Sequence, residues 1–144
     1  MDKIKIKRID KTIALPEYKT VGAAAFDLMA RVDAVIKPKE IFYMPLNVCI
    51  QIPSGHTLLM ASRSSLHKRG LMMANSIAVF DEDFCGDGDE YHAALYNFTD
   101  KNIEVAKGDR LTQGFLVPIT KAEWNEVESM ENSDRGGFGS TGHK

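Results

Sequence analysis

Cysteine is scarce in this 144-residue chain: Cys49 and Cys85 are the only two. Two thiols are too few for a disulfide framework, so a reducing, intracellular and cytoplasmic setting is expected. Long apolar runs are missing as well. No stretch approaches the roughly 18 residues of a membrane span, so no membrane partner is expected. The opening residues Met1-Asp2-Lys3-Ile4-Lys5-Ile6 alternate charge with isoleucine and do not read as a signal peptide. Strong charge of one sign is also absent, with a formal net charge of −2. That balance argues against an extended nucleic-acid surface while permitting a local phosphate pocket. Internal repeats are absent, and the length fits one domain with a single core.

What remains is short and strand-like. Ile4 and Ile6 alternate with lysines, and Val48, Ile50 and Ile52 alternate with Cys49 and Gln51. Further short apolar runs cover residues 57–61, 76–80, 93–96, 103–105 and 115–119. Turn signals separate them: Pro38-Lys39, Pro53-Ser54-Gly55, Gly86-Asp87-Gly88 and Lys107-Gly108-Asp109. Short strands at this spacing predict an all-β sandwich or barrel. Helical periodicity is scarce. One candidate helix begins near Ser64, and another covers 120–130, where Thr120 and Glu123 have capping-box spacing. Trp124 and Val127 suit an edge strand equally well.

The chain divides by composition into a body, residues 1–131, and a glycine-rich arm, residues 132–144. The arm's last twelve residues hold four glycines and one aromatic, too little apolar surface to offset the entropy of ordering. Plain fraying is one reading. The other starts from Phe138, an aromatic with no core to join. A nucleotide base would give it a partner, since stacking contributes about 1–3 kcal/mol per base. Arg135, Ser140, Thr141 and Lys144 carry donors suited to phosphate oxygens.

Three segments carry candidate chemistry. Arg63-Ser64-Ser65 offers a guanidinium fork and two small hydroxyls for phosphates, although such tripeptides also cap helices. Asn75-Ser76-Ile77-Ala78-Val79-Phe80-Asp81 is an apolar strand that ends on a carboxylate, a sound way to fix a general base in a cleft. Asn75 adds an amide donor and acceptor that suit a pyrimidine edge, while a strand followed by an acidic turn is the bland alternative. Gly108-Asp109-Arg110-Leu111-Thr112-Gln113 combines a turn with an Asp-Arg pair, which structural ion pairing explains as readily.

The order of these pieces, with two more, resembles the five motifs of the deoxyuridine triphosphate nucleotidohydrolase (dUTPase) family. The first motif is similar to Gly22-Ala23-Ala24-Ala25-Phe26-Asp27-Leu28 and the second to Arg63-Ser64-Ser65-Leu66. The third resembles Ala78-Val79-Phe80-Asp81-Glu82-Asp83-Phe84-Cys85-Gly86. The fourth resembles Gly108 to Gln113, and the fifth Arg135 to Gly142. The resemblance implies a distorted jelly-roll β-barrel with a C-terminal arm, assembled as a homotrimer whose active sites are shared between subunits. It implies hydrolysis of dUTP to dUMP and pyrophosphate, which limits uracil incorporation into DNA and supplies dUMP for dTMP synthesis. By that likeness Asp81 activates water for attack on the α-phosphorus. Arg63, Ser64, Ser65 and Gln113 would hold phosphates, with Arg135, Ser140 and Thr141 of the arm. Asn75 and the backbone of Ala78, Val79 and Phe80 would read uracil. Phe84 would pack against the deoxyribose and leave no room for a 2′-hydroxyl, with Tyr91 also among the substrate-binding residues. Phe138 would cover the base. Asp27 would support magnesium (Mg2+) through water, and magnesium prefers phosphates and waters to an all-protein cage.

The pattern is departed from at four places. Ala25 and Ala78 stand where the family commonly has glycine, which would forbid a positive φ there. Phe84 replaces a tyrosine. Asp87-Gly88-Asp89-Glu90 lengthens the segment after Asp81, and Arg135 lies only three positions before Phe138. Other functions fit less well. The acidic residues 81–90 lack the order of a calcium loop. Gly137 and Gly142 have P-loop separation, but His143 stands at the lysine position with no helix to follow. A dCTP deaminase would need a carboxylate in Ala93-Ala94-Leu95-Tyr96-Asn97, which has none. A catalytically weak or regulatory member of the same fold is the remaining alternative.

Overall fold

The structure is a computed structural model that describes residues 3–139 and 142. It is nearly all β, a distorted jelly roll of eleven short strands. They are β1 (Ile6–Arg8), β2 (Phe26–Met29), β3 (Ala34–Ile36), β4 (Ile41–Pro45), β5 (Val48–Ile50) and β6 (His56–Ser62). After a 3-10 turn at Leu66–Arg69 come β7 (Leu71–Met73), β8 (Ala78–Phe80), β9 (His92–Asn97), β10 (Ile103–Val105) and β11 (Arg110–Pro118). They form a four-stranded sheet, β2-β11-β6-β8, a three-stranded sheet, β4-β9-β7, and the pairs β1-β5 and β10-β3. Among the described residues no helix is long and apolar enough to cross a membrane.

The alternation seen in the sequence orients these strands. In β2, Phe26 and Leu28 point inward while Asp27 and Met29 are only half-buried. In β9, Ala93, Leu95 and Asn97 are buried between more open neighbours. Leu28, Met44, Leu58, Met60, Leu71 and Leu95 meet in one core, each with no exposed surface. At roughly 1.5–3 kcal/mol for each large side chain fully buried, this contact holds the two larger sheets together. Gly70 ends the 3-10 turn with φ 84°, and a Cβ there would lie 2.5 Å from Thr99 Cγ2. Both the turn and the packing demand glycine.

Neither candidate helix forms in full. The first shrinks to the turn at Leu66–Arg69, because Leu66 is already buried and Gly70 stops it. The second, 120–130, is neither helix nor strand, and its residues are exposed throughout. Ile119, whose N–H donates to the Gly55 carbonyl at 2.9 Å, is the last described residue bonded by its backbone to the body. Without a surface to pack on, a capping box and one turn of helix do not offset the cost of nucleation.

The acidic run after Asp81 is dispersed into structural pairs. Lys7 Nζ meets Asp87 at 3.1 Å, and Asp89 accepts the Gly86 N–H at 2.8 Å. Glu90 takes Arg31 in a two-point grip, at 2.6 and 3.0 Å, and accepts the Asn47 N–H at 2.9 Å. Glu90 raises the pKa of the Arg31 guanidinium above its ordinary value, mainly through this hydrogen bond. Glu90→Ala would leave Arg31 and the Asn47 N–H unpaired. The expected cost is about 2–3 kcal/mol, below the roughly 3–5 kcal/mol of a fully buried pair because Arg31 keeps partial solvent access. A lowered urea midpoint checks it, and an unchanged one would make the pair energetically idle.

Candidate active site

Two groups of the candidate residues come together, on different parts of the barrel. The first gathers at the end of β6, beside β2 and β11. Register sets Gln113 opposite both Asp27 and Ala61, so three strands deliver their side chains to one place. Asp27 bridges two arginines: Arg63 Nε lies 3.1 Å from Oδ1, and Arg110 Nη1 lies 3.4 Å from Oδ2. Arg63 also donates to the Arg110 carbonyl at 3.3 Å. These contacts fix the plane of the Arg63 guanidinium yet use only part of its five-donor fork. Gln113 Nε2 donates to the Ser62 carbonyl at 3.0 Å, which aims its amide. Ser65 stands at the N-terminal end of the 3-10 turn, but its side chain makes no capping hydrogen bond. Helix capping therefore does not account for this hydroxyl, and Ser64 beside it is exposed.

The second group is an open hairpin. Its arms, β7 and β8, do not pair with each other: β7 pairs with β9 and β8 with β6. The turn between them holds Asn75, exposed, and Ser76 at φ 63°. Because β8 is an edge strand, one side of its backbone keeps free N–H and C=O groups. Such an edge can match the alternating donors and acceptors of a flat heterocycle. Neither Ala78 nor Ala25 has a positive φ, so the methyl groups expected to strain the backbone are accommodated there. Asp81 follows β8 directly and is exposed; its carbonyl accepts the Phe84 N–H at 3.2 Å, a turn that carries the Phe84 ring back toward the hairpin. An open cavity of about 640 Å³ beside this strand is lined by His56, Val79, Phe80, Asp81, Asp83 and Lys121, among others.

Tyr91 corrects its expectation. It is fully buried, with its ring stacked on Phe80 at 3.8 Å between centroids, so it cannot touch a substrate directly. Its N–H donates to the Val48 carbonyl at 2.9 Å, and its carbonyl accepts the Leu46 N–H at 2.8 Å. The arm residues Arg135 and Phe138 are exposed and far from packing of any kind, while Ser140 and Thr141 lie outside the described residues. Sequence reasoning missed Arg110 as a partner of Asp27. It paired Arg110 with its neighbour Asp109, which instead binds Arg69 at 2.9 Å. No sequence pattern signalled it: the pairing of β11 with β2, with a register shift between Arg110 and Thr112, brings Arg110 to Asp27.

Asp81 and the phosphate-type cluster stand at opposite ends of β6. Thr57 Oγ1 donates to the Phe80 carbonyl at 2.8 Å, which sets Asp81 near the start of that strand, while Arg63 follows its end. Six residues of strand at about 3.3 Å each separate them by about 20 Å. Among the described residues no group of three or more His, Cys, Asp or Glu side chains could hold a metal ion, and both Asp27 oxygens already face arginines.

A fold of this type with two such clusters defines a nucleotide-handling β-barrel, and comparison narrows it. The dUTPase family model matches residues 11–142. A deoxyuridine 5′-triphosphate nucleotidohydrolase of Helicobacter pylori strain J99 is 37% identical over 143 residues, covering 97% of each chain. Among solved structures, a dUTPase from Streptococcus mutans superposes with a TM-score of 0.77 at 28% identity, over 83% of this chain and 98% of that one. The Staphylococcus bacteriophage 80alpha dUTPase, solved as a mutant with dUpNHpp, shares the fold at TM-score 0.87 and 21% identity, over 99% and 100%. The chain belongs to the dUTPase family.

Proposed function

We propose that this chain is a dUTP diphosphatase that cleaves dUTP to dUMP and pyrophosphate in a site shared between subunits of a homotrimer. The observation that carries the reading is the open hairpin with a carboxylate at its end, together with a separate, pre-oriented phosphate cluster. Uracil enters between the arms of the hairpin, read by the free edge of Ala78, Val79 and Phe80 and by the Asn75 amide. Phe84 packs against the deoxyribose, where a 2′-hydroxyl would collide. Asp81 takes a proton from a water molecule as that water attacks the α-phosphorus, and pyrophosphate leaves in line. Arg63, Ser64, Ser65 and Gln113 bind the phosphate oxygens, and Asp27 keeps the Arg63 fork in position. Magnesium, when bound, draws negative charge from the leaving pyrophosphate. The triphosphate and water would supply most of its ligands, and Asp27, whose oxygens pair with Arg63 and Arg110, would act only through water.

The separation of about 20 Å along β6 supports assembly from several chains, because one triphosphate cannot span it within a single subunit. The base comes from one chain, the phosphate donors from a second, and the arm, residues 132–144, from a neighbour. Both cysteines are free thiols, which suits a reducing cytoplasm.

Mixed assemblies test the sharing. Asp81→Asn and Arg63→Ala chains should each be nearly inactive alone. Co-expressed in equal amounts and purified through two different tags, they should regain roughly a third of wild-type turnover, since each mixed trimer then holds about one site in three with both groups intact. Light scattering should give three chains per particle. No recovery in a doubly tagged trimer would mean that each site is built within one chain.

A further inference from the structure

We infer that Tyr91 is a positioning residue: through a three-ring aromatic cluster it holds Phe84 in place and so sets the preference for deoxyribose over ribose. The inference rests on the reading of Phe84 as the residue against the sugar. Three observations carry it. Phe80 and Tyr91 stack nearly parallel, 3.8 Å apart at 7°. Phe84 leans on both at once, 6.1 Å from Phe80 and 6.1 Å from Tyr91, with its ring tilted by 31° and 25°. The rings also grade outward, from Tyr91 with no exposed surface, through half-buried Phe80, to Phe84 at 36%. Tyr91 is thus the fixed end of the cluster and Phe84 the end that meets solvent.

The fixed end is held by the backbone on both sides. The Tyr91 N–H donates to the Val48 carbonyl at 2.9 Å, and its own carbonyl accepts the Leu46 N–H at 2.8 Å. Glu90, one residue earlier, is locked by Arg31 and Asn47. By contrast, residues 81–88 are exposed throughout. Phe84 therefore has little besides the two rings to keep it in one orientation, apart from its N–H bond to Asp81. Discrimination against one extra hydroxyl needs a wall that does not yield, and a ring free to turn would admit it.

The Tyr91 hydroxyl plays no part in this. It is buried without a protein hydrogen-bond partner among the described residues. Burial pushes the phenol well above its usual range, so it stays neutral. The ring alone carries the role.

The test compares dUTP with UTP in steady-state kinetics of the full enzyme. Tyr91→Phe keeps the ring and should leave the ratio of kcat/KM for dUTP over UTP within about twofold of wild type, with an unchanged or higher melting temperature. Tyr91→Leu and, from the accessible side, Phe80→Leu should each lower that ratio by about tenfold. Phe80→Leu keeps the measurement possible if Tyr91→Leu fails to fold. General destabilisation would reduce both substrates alike and leave the ratio unchanged. Phe84→Ala provides the reference. If it lowers the ratio while Tyr91→Leu or Phe80→Leu does not, Tyr91 is only a core residue and the inference is overturned, with the site reading intact. If Phe84→Ala itself leaves the ratio unchanged, the sugar reading falls and the inference with it.

Discussion

Replacing Asp81 by asparagine is expected to lower turnover of dUTP by about 10²–10⁴-fold, the range that general-base help supplies. The amide keeps the size and shape of the carboxylate but cannot accept a proton from the attacking water. Binding should survive, because the proposed uracil edge on β8 is backbone and the proposed phosphate cluster lies about 20 Å away along β6, so neither uses the Asp81 side chain. Stability should hardly change, since Asp81 is exposed and lends the fold its backbone carbonyl rather than its side chain. Single-turnover kinetics and calorimetric titration with dUTP separate the two effects. A variant that kept more than about a tenth of wild-type turnover would remove Asp81 from the base role.

Deleting residues 135–144 should leave the barrel as stable as the full chain while turnover falls by on the order of 100-fold. Residues 135–139 are exposed, and Phe138 packs on nothing in its own chain. Removing them therefore costs the core no apolar contact. Closure of an arm over the bound nucleotide excludes water and keeps the triphosphate in line, and small misplacements there are worth that much in rate. Phe138→Ala should account for part of the loss, about 1–3 kcal/mol by the measure of base stacking. Both variants are compared by kcat/KM and by urea unfolding. Full activity in both, with a folded barrel, would return the tail to plain fraying.

The β nature of the chain was legible because short alternating runs have a period of two and glycine or proline breaks between them. Residues 57–61, 93–96 and 103–105 all lie within strands. Strands β2, β3, β4 and β7 were not singled out. Leu71-Met72-Met73, for example, is only three residues long, and it becomes a strand because β9 pairs with it. Local pattern cannot report a partner so distant in sequence. The segment 120–130 failed in the opposite sense: its capping-box spacing was real, but a helix that packs on nothing gains too little to form.

The candidate chemistry was stated in order and residue type: an Arg-Ser-Ser turn, a strand ending in aspartate, a turn leading into Gln113. Those features depend on what side chains can donate, accept or protonate, which a sequence states outright. Their grouping was not. Asp27 meets Arg63 and Arg110 across gaps of dozens of residues, and Tyr91 leaves the surface to stack on Phe80. An ion pair or a ring stack is set by the register of strands and the competition for the core. The sequence by itself therefore determined the fold class and the kind of chemistry. Only the tertiary structure decided which residues share a cluster, which ring is buried, and that Asp81 and the Arg63 cluster of one chain stand at opposite ends of β6.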